Sequence, residues 1–185
     1  MSEHLYDHYE KTNELNRQAI KDRDRYFFIV CVILMALYLL AIYPIQTVTM
    51  ISDGLKESIG VTIGLSINVI QVFVWLLLLW FLMRYCQRVV YIERQYHYLQ
   101  HLEKSLEITR EGDDYLKNYP AVLNYIHGIY QWAFPIIMFT LILGKIVWEY
   151  INKLYWLFLV IYTVLALMCL ILLVTYWFFL RRRNK

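Results

Sequence analysis

The chain has little cysteine, proline and glycine, with three, three and six residues of these types among 185. Cys31, Cys86 and Cys169 are far apart and form neither a CxxC pair nor a Cys/His zinc pattern. Four-span thiol oxidoreductases need paired cysteines near a membrane face, so this spacing argues against that class. We expect the three cysteines to pack in the protein interior without a chemical role. Proline and glycine are absent from segments 2–25 and 84–110, which are rich in helix-forming residues.

Long apolar blocks account for most of the 60% hydrophobic content, well above the roughly 45–50% of soluble domains. Four blocks, at 26–45, 59–83, 130–150 and 154–180, can each cross a bilayer as a helix, which takes about 20 residues. Each block is almost continuously apolar rather than alternating, which favours helices over a β-barrel. The sequence therefore predicts an all-α integral membrane protein with four transmembrane helices.

The distribution of basic residues predicts the orientation. About 15 of the 18 Lys and Arg residues precede span one, separate spans two and three, or follow span four. The other side has only Lys56, Lys145 and Lys153, so we expect a multi-pass protein of the cell membrane with both termini in the cytoplasm. The predicted order is a cytoplasmic N-terminal helix at 1–25, span one at 26–45, an outer loop at 46–58, span two at 59–83, a cytoplasmic helical connector at 84–129, span three at 130–150, an outer turn at 151–153, span four at 154–180 and a basic cytoplasmic tail at 181–185.

The first part of the connector continues the helical pattern of span two, so one long helix is expected there. Apolar residues recur along it at helical spacing and form a stripe. The members of this connector stripe are Ile92, Tyr96, Leu99, Leu102 and Leu106. Such a stripe must be buried, either against the N-terminal helix or against a second copy of the chain, and we predict a helical, oligomeric cytoplasmic assembly.

Span two carries small and polar residues on one face. Gly60, Gly64, Asn68 and Gln71 follow each other at steps of four, four and three, while Ser66 lies on another flank. The two glycines form a GxxxG pair suited to close helix packing. Asn68 and Gln71 would be poorly satisfied in lipid, so their face meets protein or water. Two interpretations are open: hydrogen-bonded helix packing, or the lining of a pore formed by several subunits, with Ser66 as a further contributor.

Charged residues near the predicted outer side suggest two further features. Asp53 and Glu57 in the outer loop would favour cations at a pore mouth. Lys145 and Glu149 stand at i and i+4 near the outer end of span three, where they are expected to neutralise each other. No acidic residue lies deep within a span, which argues against a proton-coupled multidrug transporter.

Two pairs of histidines have the i, i+4 spacing that could bring metal ligands together on one helix face. His4 and His8, and His97 and His101, are each four residues apart, and Glu93 extends the second pair along one face. No known metal motif surrounds them, so we predict no metal and no other cofactor. A convergent set of acid, histidine and serine is also missing, and we predict that the protein is not an enzyme.

The connector carries the segments YIERQYHYL at Tyr91–Leu99 and ITREGDDYLKNYP at Ile108–Pro120. In these segments and in its layout, the chain resembles the small four-span membrane effectors of bacterial anti-phage defence. These include effectors of cyclic-oligonucleotide systems and the channel effector of the Hailong system. The resemblance implies a homo-oligomer that opens, or disrupts, the inner membrane when a nucleotide second messenger arrives. The expected partners are then other copies of the chain, membrane lipids and a nucleotide or oligonucleotide ligand, without a stable nucleic-acid complex.

Two functions from different classes follow. The first is a homo-oligomeric membrane channel or pore-forming effector with span two along the ion path. The second is a non-conducting membrane scaffold or partner subunit of a larger complex, in which the same face of span two packs a helix.

Overall fold

The computed structural model describes residues 2–59, 66–106, 133–151 and 156–183, and every regular element among them is a helix. The helices are α1 (Ser2–Ile42), α2 (Pro44–Ile59), α3 (Ile67–Leu106), α4 (Phe134–Ile151) and α5 (Trp156–Arg183). Four of them, α1, α3, α4 and α5, are long and apolar enough to cross a membrane. The predicted all-α class with four spans is therefore confirmed.

Two helices are about twice as long as a membrane needs. α1 has 41 residues and α3 has 40, which makes each about 60 Å long, against a hydrocarbon core of about 30 Å. Neither sequence contains proline or glycine, so nothing in the backbone ends the helix where the apolar residues stop. The expected continuation of span two as one long helix is confirmed, and the N-terminal polar segment likewise runs unbroken into span one.

The segment predicted as an outer loop is helical, and that prediction was wrong in its secondary structure. α2 begins at Pro44, a residue favoured at the first helical position because its missing N–H needs no partner there. The Thr47 hydroxyl donates a 2.7 Å hydrogen bond to the carbonyl of Tyr43, at the bend that separates α2 from α1. The sequence of this segment has apolar residues at helical spacing, at 44, 48, 51, 55 and 59, which favours a helix.

The polar ends of α1 and α3 form an antiparallel pair, here called the polar arm (residues 2–25 of α1 and 84–106 of α3). The Tyr9 hydroxyl donates a 3.0 Å hydrogen bond to Oε1 of Glu103, and both side chains are buried. Nearer the apolar segment, Arg88 Nη2 lies 3.1 Å from Asp22 Oδ2. These two contacts fix the register of the helices at both ends of the arm.

The connector stripe is buried inside the polar arm of a single chain. Four of its members form a cluster with Tyr9 and Ala19 of α1, and the fifth, Leu106, packs against that cluster half-buried. Of the two expected partners for the stripe, the N-terminal helix is therefore the one observed. Its assignment as an oligomer contact is corrected, because α1 already covers the apolar side chains that a second copy would need.

Removing the buried hydroxyl of the arm is expected to destabilise it. In Tyr9→Phe the Glu103 carboxylate loses a buried hydrogen bond, and bonds to charged groups contribute about 1.5–3 kcal/mol. Hydrogen exchange of the arm amides should speed up accordingly. Tyr98→Phe is the matched control, since Tyr98 also joins α3 to α1 but is 43% exposed and meets His8 Nε2 at 3.3 Å. Equal exchange in both variants would show that the Tyr9 bond contributes nothing.

The four spans form a bundle in the order α1, α3, α5, α4. α3 packs against α1 and α5, and α5 packs against α4. α1 and α4 meet where the Tyr38 hydroxyl donates a 2.7 Å bond to the carbonyl of Leu141. Gly144 permits this approach, because a Cβ there would lie 3.2 Å from the Tyr38 hydroxyl oxygen. In this order α3 and α4 stand diagonally opposite each other.

An aromatic layer fills the bundle near the polar arm, with one ring from each span: Phe27, Tyr85, Phe134 and Tyr176. The centroid of Phe134 lies 4.9 Å from that of Tyr85 and 5.1 Å from that of Phe27. Tyr85 and Tyr176 are 6.1 Å apart. All of these distances suit tilted aromatic pairs, so the centre of the bundle is packed at this level.

Candidate functional site

At the end of the bundle opposite the polar arm lies a buried ion pair. Lys145 and Glu149 are one turn apart on α4, with Nζ and Oε1 separated by 2.7 Å. The two residues are only 2% and 4% exposed. The expected mutual neutralisation is confirmed, and it takes place inside the bundle rather than on its surface.

A third polar residue joins the pair from across the bundle. Gln71 of α3 is 5% exposed, and its Nε2 donates a hydrogen bond to Oε1 of Glu149. Since α3 and α4 are diagonal neighbours, this bond crosses the bundle centre. The other carboxylate oxygen of Glu149 is buried and has no hydrogen-bond partner among the described residues. Gln71, Lys145 and Glu149 are called the polar cluster below.

Side chains from the neighbouring turns enclose the polar cluster. Trp75 on α3 and Ile142 on α4 each lie about one turn closer to the aromatic layer, and both are fully buried. On α5, the buried Tyr162 donates its hydroxyl to the carbonyl of Asn68 at 3.1 Å. This bond ties α5 to the first turn of α3. Buried side chains therefore lie between the cluster and the aromatic layer, and α3, α4 and α5 are joined by hydrogen bonds at this end of the bundle.

The polar cluster lies close to the ends of its helices. Gln71 is four residues, or about 6 Å, from the start of α3 at Ile67. Glu149 is two residues, or about 3 Å, from the described end of α4 at Ile151. Exposed aromatic side chains flank it: Trp148, Tyr150 and Trp156. Such rings prefer the membrane interface, so we expect the cluster to lie just inside the bilayer boundary.

The residues predicted to line a pore have three different positions. Ser66 is exposed just before α3, and its carbonyl accepts bonds from the backbone nitrogens of Val69 and Ile70 at 3.0 and 3.2 Å, as an N-cap residue does. Asn68 is half-buried. Gln71 faces the interior of its own chain, as the helix-packing interpretation expects, and its role in a pore stays a prediction.

Other predicted site residues are only partly covered by the structure. The packing glycines Gly60 and Gly64 lie outside the described residues, as do the second part of the connector (107–129) and the tail residues 184–185. Asp53 and Glu57 are exposed one turn apart on α2, and their role at a pore mouth stays a prediction.

The chemistry of the polar cluster is electrostatic. It combines the ammonium of Lys145, the carboxylate of Glu149 and the carboxamide of Gln71. Within the described ranges, no group of three or more His, Cys, Asp and Glu side chains could hold a metal ion. Sequence reasoning found the pair on α4 from its spacing, but not the bond from Gln71, 78 positions away. The sequence feature that Gln71, Lys145 and Glu149 have in common is that each is a polar residue within an apolar span.

The lipid-facing surfaces of the spans are apolar. The exposed large side chains include Phe28 and Met35 on α1, Phe73 and Leu76 on α3, Ile137 and Val147 on α4, and Val164 and Leu167 on α5.

Comparison with known proteins adds no relative: no family model, curated protein or solved structure matches this chain.

Proposed function

We propose that the chain is the subunit of a homo-oligomeric membrane channel or pore-forming effector that is closed at rest. The contacts within the polar cluster hold α3 and α4 together and so keep the channel closed. The observation supporting this proposal is an ion pair buried in spanning helices and hydrogen-bonded across the bundle. Ionisable groups in such positions mark ion pathways and gates more often than they add stability, because their desolvation offsets most of their attraction.

In the proposed mechanism, opening separates α3 from α4. The bond between Gln71 and Glu149 breaks first, since it is the contact that spans the diagonal of the bundle. Water then reaches the ammonium and the carboxylate, and their hydration offsets the lost packing. The aromatic layer forms the second closure of the same path, nearer the polar arm.

The orientation belongs to the same proposal. The basic segments support a polar arm and termini in the cytoplasm, and the polar cluster would then lie towards the outside. A signal received by the arm would then reach the cluster through α1 and α3, which run through both regions.

The nucleotide trigger and the role in anti-phage defence have their support in the resemblance alone. One surface cleft on α1 is lined by Asp7, Glu10 and Glu14 together with Lys11 and Arg17, among others. With three carboxylates against two cations, this cleft disfavours a nucleotide phosphate.

A specific observation favours the second candidate, a non-conducting scaffold or partner subunit. The outward faces of all four spans carry large apolar side chains, which suit lipid or another apolar helix. A water-filled path between subunits needs polar groups on such a face. A conducting assembly of this chain therefore has to open its bundle, whereas a scaffold needs no opening.

Ion flux from liposomes containing Gln71→Leu separates these functions. If the polar cluster is a gate, losing its cross-bundle bond favours the open state. A hydrogen bond to a charged group changes the ratio of open to closed channels by about 10- to 100-fold. We expect resting flux to rise by about that factor over the wild type. If Gln71 lines the pore instead, flux should fall.

Gln18→Leu, the same change at an exposed position of the polar arm, is the control and should behave as wild type. Native mass measurement of each protein reports its subunit number. A Gln71→Leu variant with wild-type background flux, isolated as a monomer or with an unlike partner, would reject the channel and support the scaffold.

A further inference from the structure

A cleft of about 450 Å³ lies on the outside of the bundle between α3 and α5. Its apolar wall comes from Met83, Leu172 and Phe179, all half-buried, and its floor includes the buried Cys86 and Tyr176. The cleft therefore presents apolar surface at the level where the spans emerge into the polar arm.

The two ends of the cleft differ in polarity. Arg94, at the polar-arm end, is exposed, and Gln87 and Tyr91 lie between it and the apolar wall. Met83 is eleven residues earlier on α3, so the apolar end lies about 17 Å from the cation, deeper in the bundle. This gradient has the direction of a phospholipid in the adjacent leaflet, with its charge outward and its chains inward.

Arg94 differs from the neighbouring arginines of α3. Arg88 pairs with Asp22 at 3.1 Å, and the guanidinium of Arg84 lies 4.9 Å from the ring centroid of Trp80. No ion pair of Arg94 is seen within the part of the chain that the structure describes. Its guanidinium is thus available to an anion at the mouth of an apolar cleft.

We propose that this cleft binds one anionic phospholipid. An acyl chain lies along Met83, Leu172 and Phe179, and the phosphate accepts hydrogen bonds from Arg94. Arginine offers a phosphate two parallel N–H donors, and basic pockets between spanning helices bind anionic head groups. A soluble nucleotide could use the cation but would leave the apolar wall uncovered, so the lipid fits the whole cleft better.

The test counts lipids bound to the delipidated full chain by native mass spectrometry, during titration with phosphatidylglycerol or phosphatidylcholine. Arg94→Gln should weaken phosphatidylglycerol about five-fold, the effect of one basic residue near a membrane surface, and leave phosphatidylcholine nearly unchanged. Thr175→Trp, which places an indole at an exposed position lining the cleft, should weaken both lipids. Lys104→Gln removes an exposed cation of the arm that does not line the cleft and should change neither.

Two outcomes would overturn the lipid site. Equal weakening by Arg94→Gln and Lys104→Gln would mean that the arm attracts anionic lipid by its overall charge. Displacement of phosphatidylglycerol by an equal concentration of glycerol 3-phosphate would mean that the cation binds a soluble phosphate and the apolar wall contributes nothing. Because binding is measured without ion flux, the result does not depend on the proposed channel.

Discussion

Replacing Glu149 by glutamine, or Lys145 by methionine, should lower the free energy of unfolding by about 3–5 kcal/mol. Each change preserves much of the side-chain volume but leaves the other member of the pair buried without its counter-charge. The loss exceeds that of an exposed pair, about 0–1 kcal/mol, because no water is available to solvate the remaining ion. Thermal unfolding in detergent, followed by circular dichroism, should show a midpoint lower by about 10 °C.

The double variant Lys145→Met/Glu149→Gln tests the cause. Replacing both charges removes the unpaired ion, and neutral replacements of buried pairs are often close to wild type in stability. We therefore expect the double variant to recover most of the loss. Lys56→Met and Glu57→Gln on the exposed face of α2 are the controls, each within about 0.5 kcal/mol of wild type. Additive losses in the double variant would show that the two charges do not depend on each other.

The same variants connect stability with the proposed gate. A single unpaired charge gains hydration when the bundle opens, so Glu149→Gln and Lys145→Met should both raise resting flux. The double variant keeps an amide at 149 for the bond from Gln71 and should stay closed. A stable, closed single variant would separate the ion pair from gating.

Shortening Phe134 to alanine should cost about 2 kcal/mol. Phe134 is the ring that contacts two others in the aromatic layer, at 4.9 and 5.1 Å, so its removal leaves a cavity in the bundle centre. In a bilayer the unfolded helices remain in an apolar solvent, so the cavity and lost dispersion contribute while the transfer from water does not. The measurement is the same thermal unfolding.

Phe139→Ala is the matched control for the aromatic layer. Phe139 is on the same helix, five residues later, but its side chain is exposed towards lipid. Lipid chains can fill the space that it leaves, so we expect a loss below about 0.5 kcal/mol. If Phe139→Ala is as harmful as Phe134→Ala, that face of α4 packs against protein in the intact assembly.

Local sequence patterns were sufficient to predict the spans and the long helices. Continuous apolar runs have one stable form in a membrane, and the absence of proline and glycine lets α3 continue past Arg84. The pairing of Lys145 with Glu149 was also predictable, because residues four apart on a helix are neighbours whatever surrounds them. α2 was missed because segment 46–58 was treated only as the connection between two spans, and its helical spacing of apolar residues was not considered.

The remaining features depend on contacts between distant segments. The periodicity of the connector stripe shows that one face must be buried but does not specify the covering helix, which is α1 of the same chain. Likewise, a polar residue in an apolar span needs a partner, yet a single sequence does not show whether that partner is water, another subunit or Glu149. For this reason the sequence left both helix packing and a pore lining open for Gln71, and the structure supplies Glu149 as its polar partner.

The unbroken course of α1 and α3 has a mechanical consequence. Each is a rod about 60 Å long without a proline or glycine joint, and the two lie side by side from the arm into the bundle. Tilting such a rod about its middle moves both of its tips by similar distances in opposite directions. A partner that pushes on the end of the polar arm near Tyr9 would therefore displace the opposite end, near Gln71, by a comparable amount. Without a hinge between the two ends, the helices would not bend to reduce this displacement.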